Sequence, residues 1–331
     1  MKLDNIDRNL LSIIQSGFPL TPKPFAILGQ QLGISSNDII CRSKRLKEEG
    51  VIRQIGPVFN PQRLGYHTTL VALKVATERV DAASQIMSTH PMVSHCYQRN
   101  HDFNLWFTLA LHQDEDMNKE VYRLSCAIRA EATAILPAVK VFKIRAYFAP
   151  HNTISHPSPS TTEMVPNKNS GIDSGLSADD RAIINELQQD LPIIERPFDL
   201  MSTKLSIDTE EFLSKCRALQ NRGIMRRFSA SINHNKLGFK ANAMVCWIVP
   251  QDKIETAGKV IARHPQASHC HERRTTHLWQ YNLFAMIHAV TTGDCKTLAS
   301  TISTVAGLKE NELVLLFSTK EIKKTRSRYQ V

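Results

Sequence analysis

The sequence predicts an α+β fold that is built twice in tandem, on the strength of three observations. First, the two halves match, because residues 3–34 resemble residues 176–207 and residues 46–66 resemble residues 219–239. Second, apolar residues recur at helical spacing in the first sixty residues of a half and at period two in the rest. Third, Ser, Thr, Pro, Asn and Gly dominate residues 150–175, as is typical of a flexible linker. The chain therefore reads as two homologous modules in tandem.

The first sixty residues of each module predict a winged helix-turn-helix. One apolar stripe at helical spacing marks the first helix: Leu3, Ile6, Leu10, Leu11 and Ile14. Pro24 stands early in a second helix, and Ser36 or Asn37 could cap a third helix that Gly50 ends. The following segment, VIRQIGPVF at 51–59, predicts a short hairpin wing. We expect these units at residues 1–60 and 176–233.

The remaining residues of each module predict a ferredoxin-like domain. In the first half, period-two segments and helical segments alternate in the order strand, helix, strand, strand, helix, strand. This βαββαβ order is typical of the ferredoxin-like fold, and we expect the last strand to close the sheet of its own half. The domains are expected at residues 61–149 and 234–331, packed through their sheets as an internal pseudo-dimer.

Composition limits the classes of partner. The chain of 331 residues holds 41 Lys+Arg against 31 Asp+Glu, a formal charge of +10. That excess suits nucleic acid, an anionic membrane or a polycarboxylate. The sequence contains no secretory-signal pattern and no run of 18 apolar residues, so we expect a cytoplasmic protein without a membrane span. The seven scattered Cys lack a C-x-x-C motif and predict reduced thiols.

Two segments rich in His and Arg are the main candidates for chemistry. They read HPMVSHCYQRNHDFNLWFTLA at 90–110 and HPQASHCHERRTTHLWQYNLFAMIHA at 264–289. Alternation along a strand puts His95, Tyr97 and Arg99 on one face. The second segment repeats this face: His269, His271 and Arg273. Arg binds carboxylates in a bidentate fork and His passes protons near neutral pH, although solvent-facing strand residues would show the same pattern.

The order of domains resembles the Lrp/AsnC family of transcription regulators. The tandem segments with S-H-C-x-x-R and the N-L-aromatic strands are more specifically similar to the two homologous subunits of siroheme decarboxylases. In the form of that family linked to haem d1 synthesis, the two subunits are often fused. The resemblance covers nearly the whole chain except the linker.

The resemblance implies an enzyme that removes CO₂ from the C12 and C18 acetate side chains of siroheme, giving 12,18-didecarboxysiroheme. It also implies no added organic cofactor and no metal beyond the iron of the substrate. The sequence does not settle whether the product leads to haem d1 or to haem, and the fused form favours haem d1 by resemblance alone. The sequence equally leaves open whether paralogous decarboxylase subunits or a second copy of the chain take part.

Under this resemblance the strand residues receive roles. Three histidines are candidates for the group that protonates the new carbon: His95, His269 and His271. Tyr97 is a weaker candidate for the same role. Arg99 and Arg273 are candidates for holding the carboxylates that stay on the ring.

Further residues are candidates for contacts with the rest of the macrocycle. Arg145 and Arg326 lie on the basic closing strands, and siroheme carries eight carboxylates; a solvated basic face is the alternative. Trp106 and Trp279 could form an apolar wall against the ring, or belong to an ordinary core. His101 and His277 could ligate the iron of the substrate, since imidazole suits iron, or be exposed turn residues.

A ligand-sensing DNA-binding regulator is the alternative function. The first recognition helix carries four basic residues suited to phosphate contacts: Arg42, Lys44, Arg45 and Lys47. The second recognition helix begins with Asp208, Glu210 and Glu211, which DNA phosphates would repel. We therefore expect the winged units to serve as scaffold and do not expect DNA binding.

Overall fold

The computed structural model describes residues 3–144, 175–309 and 312–331. The predicted linker, except Gly175, and the candidate residue Arg145 lie outside the described residues. The first half contains α1 (Asn5–Ser16), α2 (Pro24–Leu32), α3 (Ser36–Glu48), β1 (Ile52–Phe59), β2 (Tyr66–Lys74), α4 (Val80–Thr89), β3 (Val93–Arg99), β4 (Leu105–His112), α5 (Met117–Ile128) and β5 (Ala132–Ile144). The second half contains α6 (Ala178–Leu187), α7 (Asp199–Lys204), α8 (Thr209–Asn221), β6 (Met225–Ile232), β7 (Ala241–Trp247), α9 (Ile254–Arg263), β8 (Ala267–Arg273), β9 (Leu283–Ala289), α10 (Thr292–Val305) and β10 (Leu313–Lys324).

The helix boundaries of the first unit follow local chemistry. Pro24 occupies the first turn of α2, where its missing N–H costs nothing. Gly50 follows α3 with φ of 71°, a left-handed conformation that suits glycine. The cap of α3 is Ser35, rather than Ser36 or Asn37, because its Oγ accepts a hydrogen bond from the backbone N–H of Asp38 at 3.1 Å. The prediction of the capping residue was wrong by one position.

The predicted hairpin wings do not form. Instead β1 and β6 pair with each other, antiparallel, in a two-stranded ribbon that joins the two halves. Apolar residues of both helix-turn-helix units pack around this ribbon in a single core, which includes Leu11, Phe25, Phe198 and Phe212. Each wing strand therefore finds its partner in the other module, a pairing that no local pattern in the sequence indicates.

The remaining eight strands form one closed barrel in the order β10-β3-β4-β2-β5-β8-β9-β7. Within a half, the order β5-β2-β4-β3 or β10-β7-β9-β8 is that of a ferredoxin-like sheet, as predicted. The last strand of each half, however, also crosses to the other half. The first part of β5 pairs with β2 and its second part with β8, while β10 pairs with β7 and then with β3. The expectation that the last strand closes the sheet of its own half therefore holds for the first part of each last strand and not for the second part.

Helices cover the outside of the barrel, and a mixed set of side chains fills its inside. On the outside, α4 and α5 pack on one sheet, and α9 and α10 on the other. Strand residues that alternate with these outward-facing positions point inward, such as Trp106 after the outward Leu105. An interior apolar cluster takes residues from both halves, among them Trp106, Leu136, Met244 and Phe284. In the described ranges, no helix is long and apolar enough to cross a membrane.

The crossing of β5 can be tested where it packs on the second half. Phe142 of β5 lies in the core under α9, against Gly258, and a Cβ at that glycine would overlap the Phe142 ring. We expect Gly258→Ala to lower the free energy of unfolding by about 1–3 kcal/mol in urea titrations. In a Phe142→Ala background, Gly258→Ala should instead raise the free energy of unfolding by up to about 1 kcal/mol, because alanine favours the helical conformation more than glycine does.

Gly293→Ala is the matched control, since a Cβ at Gly293 meets only the Thr291 hydroxyl at 3.6 Å. Equal losses from Gly258→Ala in the wild type and in the Phe142→Ala background would contradict the crossed packing.

Candidate active site

The two His- and Arg-rich segments form β3 and β8, and they meet inside the barrel. Cys96 belongs to the core under the helices, so the residues that alternate with it face the interior: His95, Tyr97 and Arg99. In β8, Cys270 faces outward in the same way, and His269, His271 and Arg273 face inward. His95 lies near enough to His269 that, after burial, a charge on His95 would be a further cause lowering the pKa of His269. The fold therefore brings both predicted triplets into one interior space.

The two arginines, Arg99 buried and Arg273 half-buried, are interior cations with few partners. Arg99 is 5% exposed, donates from Nη1 to the Leu316 carbonyl at 2.7 Å, and lies over the Tyr97 ring. Arg273 donates from Nη1 to the Leu136 carbonyl at 2.7 Å. Among the described residues, the Nε–H of each guanidinium has no acceptor, and neither arginine forms an ion pair. Burial lowers the pKa of each guanidinium to about 10, so both remain charged and would be stabilised by an anionic ligand.

The inward-facing histidines are neutral at pH 7 in this structure. Burial, with the nearby Lys324, lowers the pKa of His95 to about 4 and that of His269 to about 3. Burial also lowers the pKa of His271 well below its ordinary value. The first histidine of each strand forms a hydrogen bond through its Nδ1 with the Oγ of the serine that precedes it. His95 does so with Ser94 and His269 with Ser268, both at 3.0 Å. Each ring is thus oriented by its own strand.

The Tyr97 side chain offers a protonated phenol. Burial raises the pKa of Tyr97, and the neighbouring Glu321 adds to the effect. At neutral pH this residue can therefore donate a hydrogen bond but cannot act as a base.

Two interior residues, His234 and His288, were not predicted as site residues, and both lie near Lys324 of the basic closing strand β10. Lys324 places its Nζ 3.3 Å from Nδ1 of His234, and the His234 ring meets the His288 ring edge-on with centroids 5.0 Å apart. Burial lowers the pKa of Lys324 to about 8 and that of His234 to about 3. The sequence offers a signal only for His288, which alternates in phase with Phe284 along β9. His234 stands in a short 3₁₀ turn, which carries no periodicity.

The ribbon adds cations beside this group. Arg53 of β1 pairs with Glu321 of β10, with Nη2 and Oε1 2.7 Å apart. Its charge contributes to the lowered pKa of His95 and of His234. Arg227 of β6 acts in the same way on His269. The charges near the barrel histidines therefore come from the helix-turn-helix units as well as from the barrel strands.

Arg326 has a structural position. Its guanidinium donates from Nη1 to the carbonyl of Pro57 and from Nη2 to the carbonyl of Ser229, the latter at 2.7 Å. Those carbonyls belong to the two strands of the ribbon, and burial lowers the pKa of Arg326 to about 10. Arg326 therefore ties the C-terminal segment to the ribbon and has little freedom to hold a ligand.

The predicted aromatic wall is part of the packed interior. Trp106 and Trp279 meet edge-on with centroids 4.9 Å apart, and both are almost fully buried. The indole N–H of Trp106 donates to the Phe103 carbonyl at 2.6 Å. The indole N–H of Trp279 has no acceptor among the described residues. The two rings close the apolar end of the barrel interior.

The two candidate iron ligands lie apart from the inward histidines. His101 accepts a hydrogen bond at Nδ1 from the Phe103 backbone N–H at 3.0 Å, and its ring stands edge-on to Trp279. Burial lowers the pKa of His101. His277 is exposed on the turn before Trp279. The described residues contain no group of three or more His, Cys, Asp or Glu placed to hold a metal ion.

The face that would read DNA is largely neutralised by ion pairs. Arg42 pairs with Asp4 and Asp7, at 2.6 and 2.8 Å, and Arg45 pairs with Asp7 at 2.6 Å. These residues line an open cleft of about 450 Å³ on the first unit. Lys47 of the same helix pairs with Asp190. Since three of the four predicted phosphate contacts already have carboxylate partners, we place the candidate site inside the barrel instead.

Two family models match this chain, and each matches it twice. The model of the AsnC-like ligand binding domain matches residues 63–143 and 236–323, which form most of the barrel and its helices. The model of the siroheme decarboxylase NirDL-like HTH domain matches residues 7–53 and 180–226. Both families of domain thus occur twice, in the order that the sequence predicts.

Similar whole chains are siroheme decarboxylases. The siroheme decarboxylase of Hydrogenobacter thermophilus is 37% identical over 97% of this chain and 93% of its own length. A siroheme decarboxylase beta subunit of Methanosarcina barkeri is 40% identical over 44% of this chain and 95% of its own length, so one half matches a whole subunit. The crystal structure of siroheme decarboxylase NirDL with an iron-uroporphyrin III analogue has a TM-score of 0.70 and 33% identity, covering 99% of this chain and 95% of that chain. The chain therefore belongs to the siroheme decarboxylase family, with both of its homologous modules in one polypeptide.

Proposed function

We propose that this chain decarboxylates siroheme inside the barrel, turning two acetate side chains into methyl groups. The observation that supports this most is the pair of interior guanidiniums, of Arg99 and Arg273, which have no carboxylate partner among the described residues. A ligand rich in carboxylates would supply the missing counter-charge. The similar NirDL protein has been crystallised with an iron-uroporphyrin III analogue, which is a ligand of this kind.

Binding would use the charge imbalance of the interior. Lys324, Arg53 and Arg227 stand around the inward histidines, and after burial these cations are further causes of the lowered histidine pKa values. Glu321 is the partner of Arg53. We expect Arg99 and Arg273 to hold carboxylates that stay on the macrocycle, because a planar guanidinium fork fits a carboxylate with two hydrogen bonds. These contacts would fix which side chains of the macrocycle approach the histidines.

The chemical step breaks the bond between the acetate methylene and its carboxylate carbon. CO₂ leaves, and the electron pair of the broken bond remains on the methylene carbon, where the conjugated macrocycle delocalises it. One proton then converts this carbon to a methyl group, so each CO₂ released consumes one proton. A low-dielectric interior disfavours the ionised acetate relative to neutral CO₂, which assists the bond cleavage.

The proton reaches the carbon from an inward histidine: His95, His269 or His271. In the empty site these rings are neutral, since burial and nearby cations lower their pKa values. The carboxylates of a bound substrate would oppose the effect of those cations and raise the pKa values again. Tyr97 would donate a hydrogen bond rather than the proton, because burial raises the pKa of its phenol.

Several finer points belong to the same proposal. We propose that the acetates are those at C12 and C18 and that the product is 12,18-didecarboxysiroheme. We also propose that the reaction needs no organic cofactor and no metal beyond the iron of the substrate. The haem d1 pathway, the cytoplasmic location, and the participation of paralogous subunits or a second copy remain predictions from the sequence. The ion-paired recognition helix argues against the regulator alternative.

The activity can be tested by anaerobic incubation of the purified chain with siroheme, followed by mass spectrometry of the pigment. We expect stepwise loss of two CO₂. Arg99→Gln and Arg273→Gln should each weaken siroheme binding about 10- to 100-fold, because a charged hydrogen bond contributes about 1.5–3 kcal/mol. His269→Gln should leave binding within about threefold and slow CO₂ loss about 10²- to 10⁴-fold.

Arg123→Gln, on an exposed helix outside the barrel, is the control for a lost arginine. A pigment of unchanged mass and unchanged absorption spectrum would contradict the tetrapyrrole proposal.

Siroheme binding should be coupled to proton uptake. At pH 8 Lys324, whose pKa is about 8, is partly neutral in the empty site. Substrate carboxylates would raise that pKa, so the complex binds more protons than its parts, and affinity rises as pH falls. Isothermal titration in two buffers of different ionisation enthalpy should give different heats at pH 8.

Lys324→Met should remove most of that difference. Lys320→Met is the matched control, because Lys320 of the same strand faces outward and pairs with Asp81 at 2.9 Å. Equal heats in both buffers for the wild-type chain would contradict the coupling.

A further inference from the structure

Among the differences between the two mirrored halves of the barrel interior, three lie in one connected group of side chains. Where the second half has His288 in β9, the first half has Ala110 in β4. Where the second half has His234 at the start of its 3₁₀ turn, the first half has Pro61. Where β10 places Lys324 opposite His95, β5 places Ile144 opposite His269.

The mirror relation itself is secured by geometry. Asn104 and Asn282 make the same contacts, since each side chain donates to a backbone carbonyl, of Val75 and of Val249 respectively, at 2.7 and 2.8 Å. The strand registers also correspond, because His95 lies opposite Thr108 and His269 lies opposite Met286. The three differences are therefore differences at equivalent places, and all three add titratable groups to one connected set.

That set forms a path from Lys324 to His269. Ser268 Oγ lies 3.0 Å from Nδ1 of His269 and 3.0 Å from Nε2 of His288. The His288 ring meets the His234 ring, and Nδ1 of His234 lies 3.3 Å from Nζ of Lys324. In the first half, Ser94 makes the same contact with His95, but Ala110 takes the place of the next imidazole. There the path stops at the serine.

We propose that Lys324, His234, His288 and Ser268 supply protons to His269, which makes His269 the proton donor of the decarboxylation. This proposal rests on the proposed function, and it assigns a different role in the reaction to each half of the barrel interior. His269 catalyses the protonation, and the other four residues of the path, which do not touch the substrate carbon, act through it. The residues of the first half that mirror this path bind and orient.

The transfer balances without a further reactant. The new carbanion takes the proton from Nε2 of His269, and Nδ1 of His269 takes the proton of the Ser268 hydroxyl. Ser268 takes the Nε2 proton of His288, and His288 is reprotonated through His234 from the Lys324 ammonium. The ring contact between His234 and His288 needs a ring rotation or one water to pass the proton. Solvent restores the proton on Lys324 after each turnover.

A buried amide near the contact between the His234 and His288 rings supports the presence of a water there. Asn242 lies opposite His288 across the strand pair β7–β9 and is 8% exposed. Its Oδ1 has no hydrogen-bond donor among the described residues. A buried amide oxygen of this kind is normally satisfied, and a water in the gap would satisfy it while linking the two rings.

The test compares single-turnover CO₂ loss from bound siroheme in matched serine variants. Ser268→Ala removes only the hydroxyl that links His288 to His269, and Ser94→Ala makes the same change where no path follows. We expect Ser268→Ala to slow CO₂ loss at least about tenfold. Ser94→Ala should slow CO₂ loss by a several-fold smaller factor than Ser268→Ala. In both variants the siroheme Kd from spectral titration should change less than about threefold.

His288→Ala provides the chemical rescue. It installs the alanine that the mirrored position already has, and the space it leaves fits an imidazole. We expect it to slow CO₂ loss at least about tenfold and added imidazole to restore several-fold of the rate. His264→Ala, outside the barrel, is the control and should neither slow the reaction nor respond to imidazole.

Equal losses in Ser94→Ala and Ser268→Ala, or an undiminished rate in His288→Ala, would overturn the path while leaving the decarboxylase function in place. If His288→Ala fails to fold or to bind siroheme, the serine pair decides alone. Absence of CO₂ loss in the wild-type chain would instead overturn the proposed function, and the path with it.

Discussion

The fold depends on the sharing of the last strand of each half. An open ferredoxin-like sheet leaves an edge whose N–H and C=O groups need partners. Here the second part of β5 pairs with β8, and the second part of β10 pairs with β3, so both edges disappear in one closed barrel. The two halves therefore share a single interior, and the β1–β6 ribbon joins their helix-turn-helix units in a second shared element.

This sharing also creates the chemistry of the interior. A strand at the edge of its own sheet would place His95 or His269 beside solvent. Pairing with β10 and β5 instead buries these strands on both sides, and burial is the first cause of the lowered histidine pKa values. The same pairing sets Lys324 opposite His95 and Ile144 opposite His269, so the pseudo-symmetric frame holds two unequal sides. The inequality could not arise in a dimer of identical chains.

The helix-turn-helix units have a place in this scheme beyond their fold class. They contribute Arg53 and Arg227 to the interior, and the carbonyls of Pro57 and Ser229 hold Arg326. Three cations of the first recognition helix are meanwhile used in ion pairs with Asp4, Asp7 and Asp190. The scaffold role expected of these units from the acidic start of the second recognition helix stays a prediction.

The sequence by itself determined the tandem α+β plan, the order of elements in each half and which residues of β3 and β8 share a face. These follow from spacing along the chain, because helical and strand periodicities and capping chemistry are local. Alternation alone therefore places His95, Tyr97 and Arg99 on one face, and the closed barrel turns that face inward. The family resemblance came from the same short segments.

Only the tertiary structure decided which strands pair across the halves, and with them the set of residues around the site. The ribbon in place of hairpin wings, the crossing of β5 and β10, and the grouping of His234, His288 and Lys324 all join residues tens to hundreds of positions apart. The roles of Arg326 and Trp106 are likewise visible in their contacts and not in their spacing along the chain. Arg326 binds a carbonyl of the ribbon, and Trp106 packs in the barrel interior. Pairing between distant segments depends on the free energy of the whole assembly, which no local pattern records.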